Sequence, residues 1–390
     1  MKKSLISWIT VLALCLSLLP TAALAEGDGM AAPAQEQGEL VSVPEQPLAE
    51  DSAAENGTVL FSYENGENGI DLFSDEVVHD DSHPICGASC SDGAHALPEG
   101  TKWQPISSAS ALKNINTAGY YYLTQTVTIS SSWTPVDGVV LCLNGHDIIM
   151  SGSRIAVILG DNTDAPEIHF TLTDCHTGAE QGKITHTKVE SSGVSVFPSS
   201  TLDMYGGVIT GNSCGAEVSG TFNLYGGAIT GNLGNGGVHV WNAGVTNKPL
   251  AASAFNMYGG SITDNSSTWL GGGVFLHDTS NKQLTDPITF RMEGGTISGN
   301  STTRGGGGVY VSSSKCAFEV SGDARITGNT KNGAPNNVYL TDNAVMTVVG
   351  TLGTSASIGV TMADTASITA SASSGKITSD DDRYEFAYDN

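Results

Sequence analysis

Residues 257–265 read MYGGSITDN, and near-copies stand at 204–212 (MYGGVITGN), 224–232 (LYGGAITGN), 292–300 (MEGGTISGN) and, altered, 320–329 (VSGDARITGN). Aligned on isoleucine, Ile184, Ile209, Ile229, Ile262, Ile297 and Ile326 form one column, and the last five are followed by Asn212, Asn232, Asn265, Asn300 and Asn329. A second short run recurs after each phrase: VSV at 194–196, AEV at 216–218, VHV at 238–240, VFL at 274–276, VYV at 309–311 and VYL at 338–340. Strand alternation turns the outer two residues of each triplet inward and the middle one outward. A strand pair with its corners cannot bury both faces alone, so the repeats must stack on one another. Stacking at the inter-strand distance of about 4.8 Å sets Ile over Ile and Val over Val, and lets the asparagine amides hydrogen-bond along the axis. Gly193, Gly215, Gly237, Gly273 and Gly308 precede five triplets and Asn337 the sixth, where a sharp corner is expected to need positive φ. The repeated phrase is therefore a structural rung.

The bulk composition agrees. Forty-eight glycines and 14% charged residues suit a turn-rich all-β chain. A net charge of −24 excludes a nucleic-acid partner, which needs clustered Lys and Arg. Lys2 and Lys3, an apolar run over 5–19 and Ala23-Leu24-Ala25 predict a signal peptide over 1–25. The run is short for a membrane span and no second one follows, so no transmembrane segment is expected in the mature chain. The protein is expected to be secreted or held at the cell surface. Between positions 26 and 81 stand 15 Asp or Glu and no Lys or Arg, which predicts a disordered acidic spacer over 26–82.

The pattern GGxITGN followed by GGGVYV resembles the right-handed parallel β-helix of pectin-lyase-like bacterial surface proteins. Its repeats are similar to those of polymorphic outer-membrane and adhesin-type proteins. The resemblance covers roughly residues 120–370, and the stretch at 120–148 resembles the opening rungs of secreted proteins of anaerobic gut bacteria. It implies a coil over 120–370, preceded by a Cys/His-rich cap over 83–119 and followed by an acidic end segment over 371–390. That end segment is expected either to fold over the last rung or to lead into further modules. This fold hosts lyases, glycosidases, adhesins and passive stalks alike, so function has to be argued from sites.

Three features bear on function. Between triplet and next isoleucine the chain carries extra residues at 241–254 and 277–287, on consecutive rungs. Insertions at one corner of a solenoid build a binding edge, although loops also lengthen cheaply by drift. Two aromatic columns accompany them: His239, Phe275, Tyr310 and Tyr339 at the outward triplet positions, and Tyr205, Tyr225 and Tyr258 beside the isoleucine strand. Such rows offer stacking faces for sugar rings or stabilise a parallel sheet. Acids recur at no position from rung to rung. Asp264 and Asp278, near Lys282 and Arg304 in the sequence, are the one suggestive pair for a lyase or glycosidase. The leading expectation is a binding or adhesion module for glycan or host matrix, with an enzyme or a passive spacer as alternatives.

Upstream, HPICGASCSDGAH at 83–95 holds His83, Cys86, Cys90 and His95, four soft ligands suited in number to Zn²⁺. A Cys86–Cys90 disulfide or two free thiols are the competing readings. Cys142 and Cys175 each end an apolar strand, where they can stack on neighbouring rungs or serve equally well as small buried hydrophobes. His146, His169, His176 and His186 read as surface or satisfied core residues.

Overall fold

The computed structural model describes residues 79, 83–85, 96–161, 167–242, 252–279, 288–369 and 376–381. The expected signal peptide, all of the spacer except position 79, Cys86, Cys90, His95, most of both insertions and the chain after 381 lie outside the described residues. The described chain is a parallel β-helix in which each full turn contributes strands to three stacked parallel ladders.

The first ladder has 11 strands, from Gln104–Ile106 through Thr201–Met204, Thr221–Leu224, Ala254–Met257, Ile288–Met292 and Cys316–Gly322 to Ser367–Thr369. The second carries the isoleucines, as in Val208–Thr210, Ala228–Thr230, Ser261–Thr263 and Thr296–Ser298. The third carries the triplets, as in Cys214–Val218, Gly236–Trp241, Val274–His277 and Val309–Val311. Strands of both pair with Ser357–Met362, which joins them into one sheet. The expected registers hold: Ile184, Ile209, Ile229, Ile262, Ile297 and Ile326 stand directly over one another, and Val238 over Val274 over Val309. All are fully buried.

Sequence periodicity showed two strands per rung, and the third came from the structure. The first ladder buries a stack of phenylalanines, Phe222, Phe255, Phe290 and Phe318, with ring centroids 4.9–5.2 Å apart. These rings fill the interior opposite the isoleucines, so the core is continuous along the axis.

At the corner after the isoleucine strand runs the asparagine ladder. Asn212, Asn232, Asn265, Asn300 and Asn329 have no exposed surface, and each Nδ2 donates to the Oδ1 of the next at 2.9–3.0 Å. Asn337 is the last acceptor in that series, and Asp380 in turn accepts from Asn337 N at 2.6 Å and Nδ2 at 2.8 Å. At the opposite end the imidazole of His186 meets Asn212 Oδ1 at 2.7 Å and the Arg154 carbonyl at 2.8 Å.

Two expectations are corrected. The glycines before the triplets are not there for positive φ; none of those five has it. They are there for closeness. A Cβ on Gly237 would lie 2.6 Å from the Gly273 carbonyl oxygen, 2.9 Å from Ile262 Cγ2 and 3.0 Å from Asn265 Nδ2. Positive φ belongs instead to the turn before each asparagine, at Gly211, Gly231, Gly299 and Gly328, with Asp264 at φ 55° in the equivalent place. The ladders also run past both expected ends: Gln104–Ile106 pairs with Gly119–Leu123, and Ile377–Ser379 with Ser357–Met362. These flanking strands are three residues long and partly polar, too short to announce a period.

Candidate functional site

The outward residues of the third ladder form an aromatic strip. His239 pairs in register with Phe275, Phe275 with Tyr310, and Tyr310 with Tyr339. The His239 and Phe275 rings stack at 4.9 Å and 5°, and Tyr310 and Tyr339 at 5.5 Å and 7°; Phe275 and Tyr310 meet at 73°. Three further rings, missed in the sequence reading, widen the strip. Trp241 and His277 are paired at the next outward position, with His277 stacked on Phe275 at 4.7 Å. Trp269, from the preceding turn, stands edge-on to both Phe275 and His277 at 5.5 Å. A tryptophan just ahead of a glycine run was the available signal.

Exposure separates the roles of these rings. Phe275 points outward as expected but is only 3% exposed, covered by its aromatic neighbours, whereas Trp269 is 43% exposed. Phe275 is thus the floor of the strip and Trp269 its raised edge. The strip is uncharged near neutral pH. Burial, then the neighbouring His277, pushes His239 down to about 4, and burial lowers His277 as well. Burial and the adjacent Tyr339 raise the Tyr310 phenol. One turn before His239 the equivalent position is Glu217, outside the strip, whose carboxylate accepts from Ser192 Oγ at 2.9 Å.

The two insertions leave the coil side by side at the edge of this strip, where Asn242 Nδ2 donates to Asp278 Oδ1 at 3.3 Å and Thr279 N donates to Asn242 Oδ1 at 2.8 Å. Asp278 is held there by Lys315, with Nζ 3.2 Å from Oδ2. Asp264 is exposed and lies elsewhere, on the turn after Ser261–Thr263, at the end of a second-ladder strand. The two acids offered as a catalytic pair therefore stand at the ends of different strands in different ladders. Lys282 lies outside the described residues and Arg304 is exposed.

Tyr205, Tyr225 and Tyr258 follow the first-ladder strands and stack as expected, at 4.5 Å and 4.9 Å with interplanar angles of 6° and 10°. Tyr225 is 37% and Tyr258 39% exposed. Beside them a polar row runs along the outer sheet, from His169 to Asp203 (2.7 Å), Asn223 (2.7 Å) and Asn256 (2.8 Å). The hydrogen bond to Asp203 raises the His169 imidazole.

Of the expected zinc ligands only His83 falls among the described residues. Together with His79, which falls within the stretch expected to be spacer, it packs against the coil's first turns. The His79 ring stacks on Tyr122 at 3.8 Å and that of His83 on Trp103 at 4.4 Å. Cys142 and Cys175 do meet, on adjacent turns, with no disulfide between them. Burial, then the bond to Cys175, drives the Cys142 thiol up, while the bond from Cys142 draws Cys175 down. One donor atom from each of His79, His83, Cys142 and Cys175 falls within 4.8 Å of the other three. No helix among the described residues is long and apolar enough to cross a membrane. Comparison of the chain with family models, curated proteins and solved structures finds no match to any of them.

Proposed function

We propose that this chain is an exported, pectin-lyase-like binding module of the adhesin type, held at the cell surface or secreted, that takes glycan or host matrix along the aromatic strip. One observation carries the reading. His239, Phe275, Tyr310 and Tyr339 form a continuous aromatic row on consecutive turns, uncharged at neutral pH, with Trp269 standing proud of it. Ring faces spaced along a rigid axis suit an elongated partner with repeating apolar faces, such as the pyranose rings of a polysaccharide. Asn242 and Asp278, the residues after Trp241 and His277, border the same strip and supply polar groups for its rim.

The test is retention of the full chain on immobilised plant, mucin and matrix polysaccharides. Wild type is expected to be retained on at least one of them, and a Trp269→Ala, Tyr310→Ala double variant to elute unretarded with its unfolding transition preserved. Equal retention of the two proteins would remove the strip from the account.

A further inference from the structure

The geometry points to a structural metal site, of the zinc class, formed by His79, His83, Cys142 and Cys175. It differs from the quartet suggested by the 83–95 motif and shares only His83 with it.

Placement is set by the coil. Cys142 closes the strand Val139–Cys142, and in the next turn Thr173 lies directly over it, two residues before Cys175. Along that strand Val139 and Leu141 face the core, which leaves Val140 and Cys142 on the outer face beside Tyr120 and Tyr122. Yet Cys142 has no exposed surface, and it is not part of the contiguous apolar core. What lies beside it on that outer face is the segment bearing His79 and His83, each 7% exposed.

The chemistry of the donor set is specific. Two thiolates neutralise a divalent cation, so the filled site carries no net charge into a buried position. Two sulfurs and two imidazoles in tetrahedral array are a zinc set, with Zn–S about 2.3 Å and Zn–N about 2.0–2.1 Å. The four donor atoms already lie within 4.8 Å of one another, against the roughly 3.3–3.8 Å separations that those bond lengths give in a tetrahedron. The imidazoles are already oriented. His83 Nδ1 donates to the Pro84 carbonyl at 2.8 Å, which fixes that ring's tautomer with its hydrogen on Nδ1. His83 Nε2 and His79 Nε2 stand 2.8 Å apart and share one hydrogen, the proton that a cation would displace. Binding therefore moves that hydrogen to His79 Nδ1, releases both thiol protons to solvent, and forms two Zn–N and two Zn–S bonds.

The neighbouring trio Asp174, Cys175 and His176 is not a second site. The Asp174 carboxylate already accepts from the backbone N–H groups of Gly145, His176 and Gly182, at 3.2, 2.8 and 2.7 Å. Its work is to hold the loop that presents Cys175.

The test uses the full chain, purified under reducing conditions, stripped with chelator and titrated with Co²⁺. The expected result is one Co²⁺ per chain, with the visible bands of tetrahedral cobalt and a thiolate charge-transfer band, both displaced by Zn²⁺. His83→Gln and Cys175→Ser should each lower zinc affinity by about tenfold or more while the far-ultraviolet dichroism of the coil persists. A Cys86→Ser, Cys90→Ser variant should bind as wild type does. Absence of the tetrahedral spectrum, full affinity in His83→Gln, loss of metal on changing Cys86 and Cys90, or a Cys142–Cys175 disulfide in the natively exported protein would each overturn the site.

Discussion

The side chain of Asn232 donates to Oδ1 of Asn265 at 2.9 Å, and the backbone N–H of Asn232 reaches the same oxygen at 3.0 Å. One buried oxygen thus satisfies two donors of the turn below, while Asn265 Nδ2 reaches the Ile229 carbonyl at 2.9 Å. The corner is a polar seam in a dry interior, and each link depends on the next.

Asn265→Ala should therefore cost about 2–4 kcal/mol, because it strands buried donors on Asn232 and an acceptor on Ile229. Urea unfolding with an unchanged m-value measures it. A midpoint equal to wild type would mean that water replaces the amide, and the seam would not be the brace inferred here.

The two glycine roles make opposite predictions. Gly237→Ala forces a methyl against the Gly273 carbonyl and Ile262 and should cost about 1–3 kcal/mol. Gly328 has φ 69° and open space where its Cβ would be, so Gly328→Asn should cost less than about 1 kcal/mol. Asp264 already occupies the equivalent turn at φ 55°. Thermal unfolding of both variants decides; the reverse order would refute the close-approach account.

Within the aromatic strip, burial separates stability from recognition. Phe275→Ala should destabilise by about 3–5 kcal/mol, and Trp269→Ala by less than about 1 kcal/mol. Denaturation of the two single variants measures this. A Trp269 variant as unstable as the Phe275 variant would make the tryptophan part of the packing.

The pH dependence follows from His239, whose folded value near 4 lies below the unfolded value of 6.5. Above 6.5 both states are neutral and its contribution is complete. Between 6.5 and 4 the unfolded chain takes the proton first, so stability falls as pH falls, by on the order of 3 kcal/mol in total, and levels off below 4. His239→Phe should flatten that limb of a stability–pH profile. An unchanged limb would assign it to other groups.

The isoleucine and asparagine columns were legible in the sequence because ladders repeat identical side chains in register. The phenylalanine column was present too, at 222, 255, 290 and 318, but strands of four to seven residues among polar neighbours hide their period. For the glycines the residue type was readable and its reason was not: closeness to Asn265 and Ile262 belongs to the neighbouring turn, which no single rung reveals. The aromatic positions were likewise visible, while the covering of Phe275 by Trp269 and His277 depends on how three segments converge. His79 and Cys142 are 63 positions apart (142 − 79) and meet only because the coil brings them together.

The most direct measurement of the central claim is one incubation of the full chain with each polysaccharide. It follows loss of protein from solution onto the polymer together with new reducing ends. The account predicts depletion on at least one polymer, no new reducing ends, and no depletion for the Trp269→Ala, Tyr310→Ala variant. New reducing ends that vanish on changing Asp264 or Asp278, or no depletion on any polymer, would contradict it.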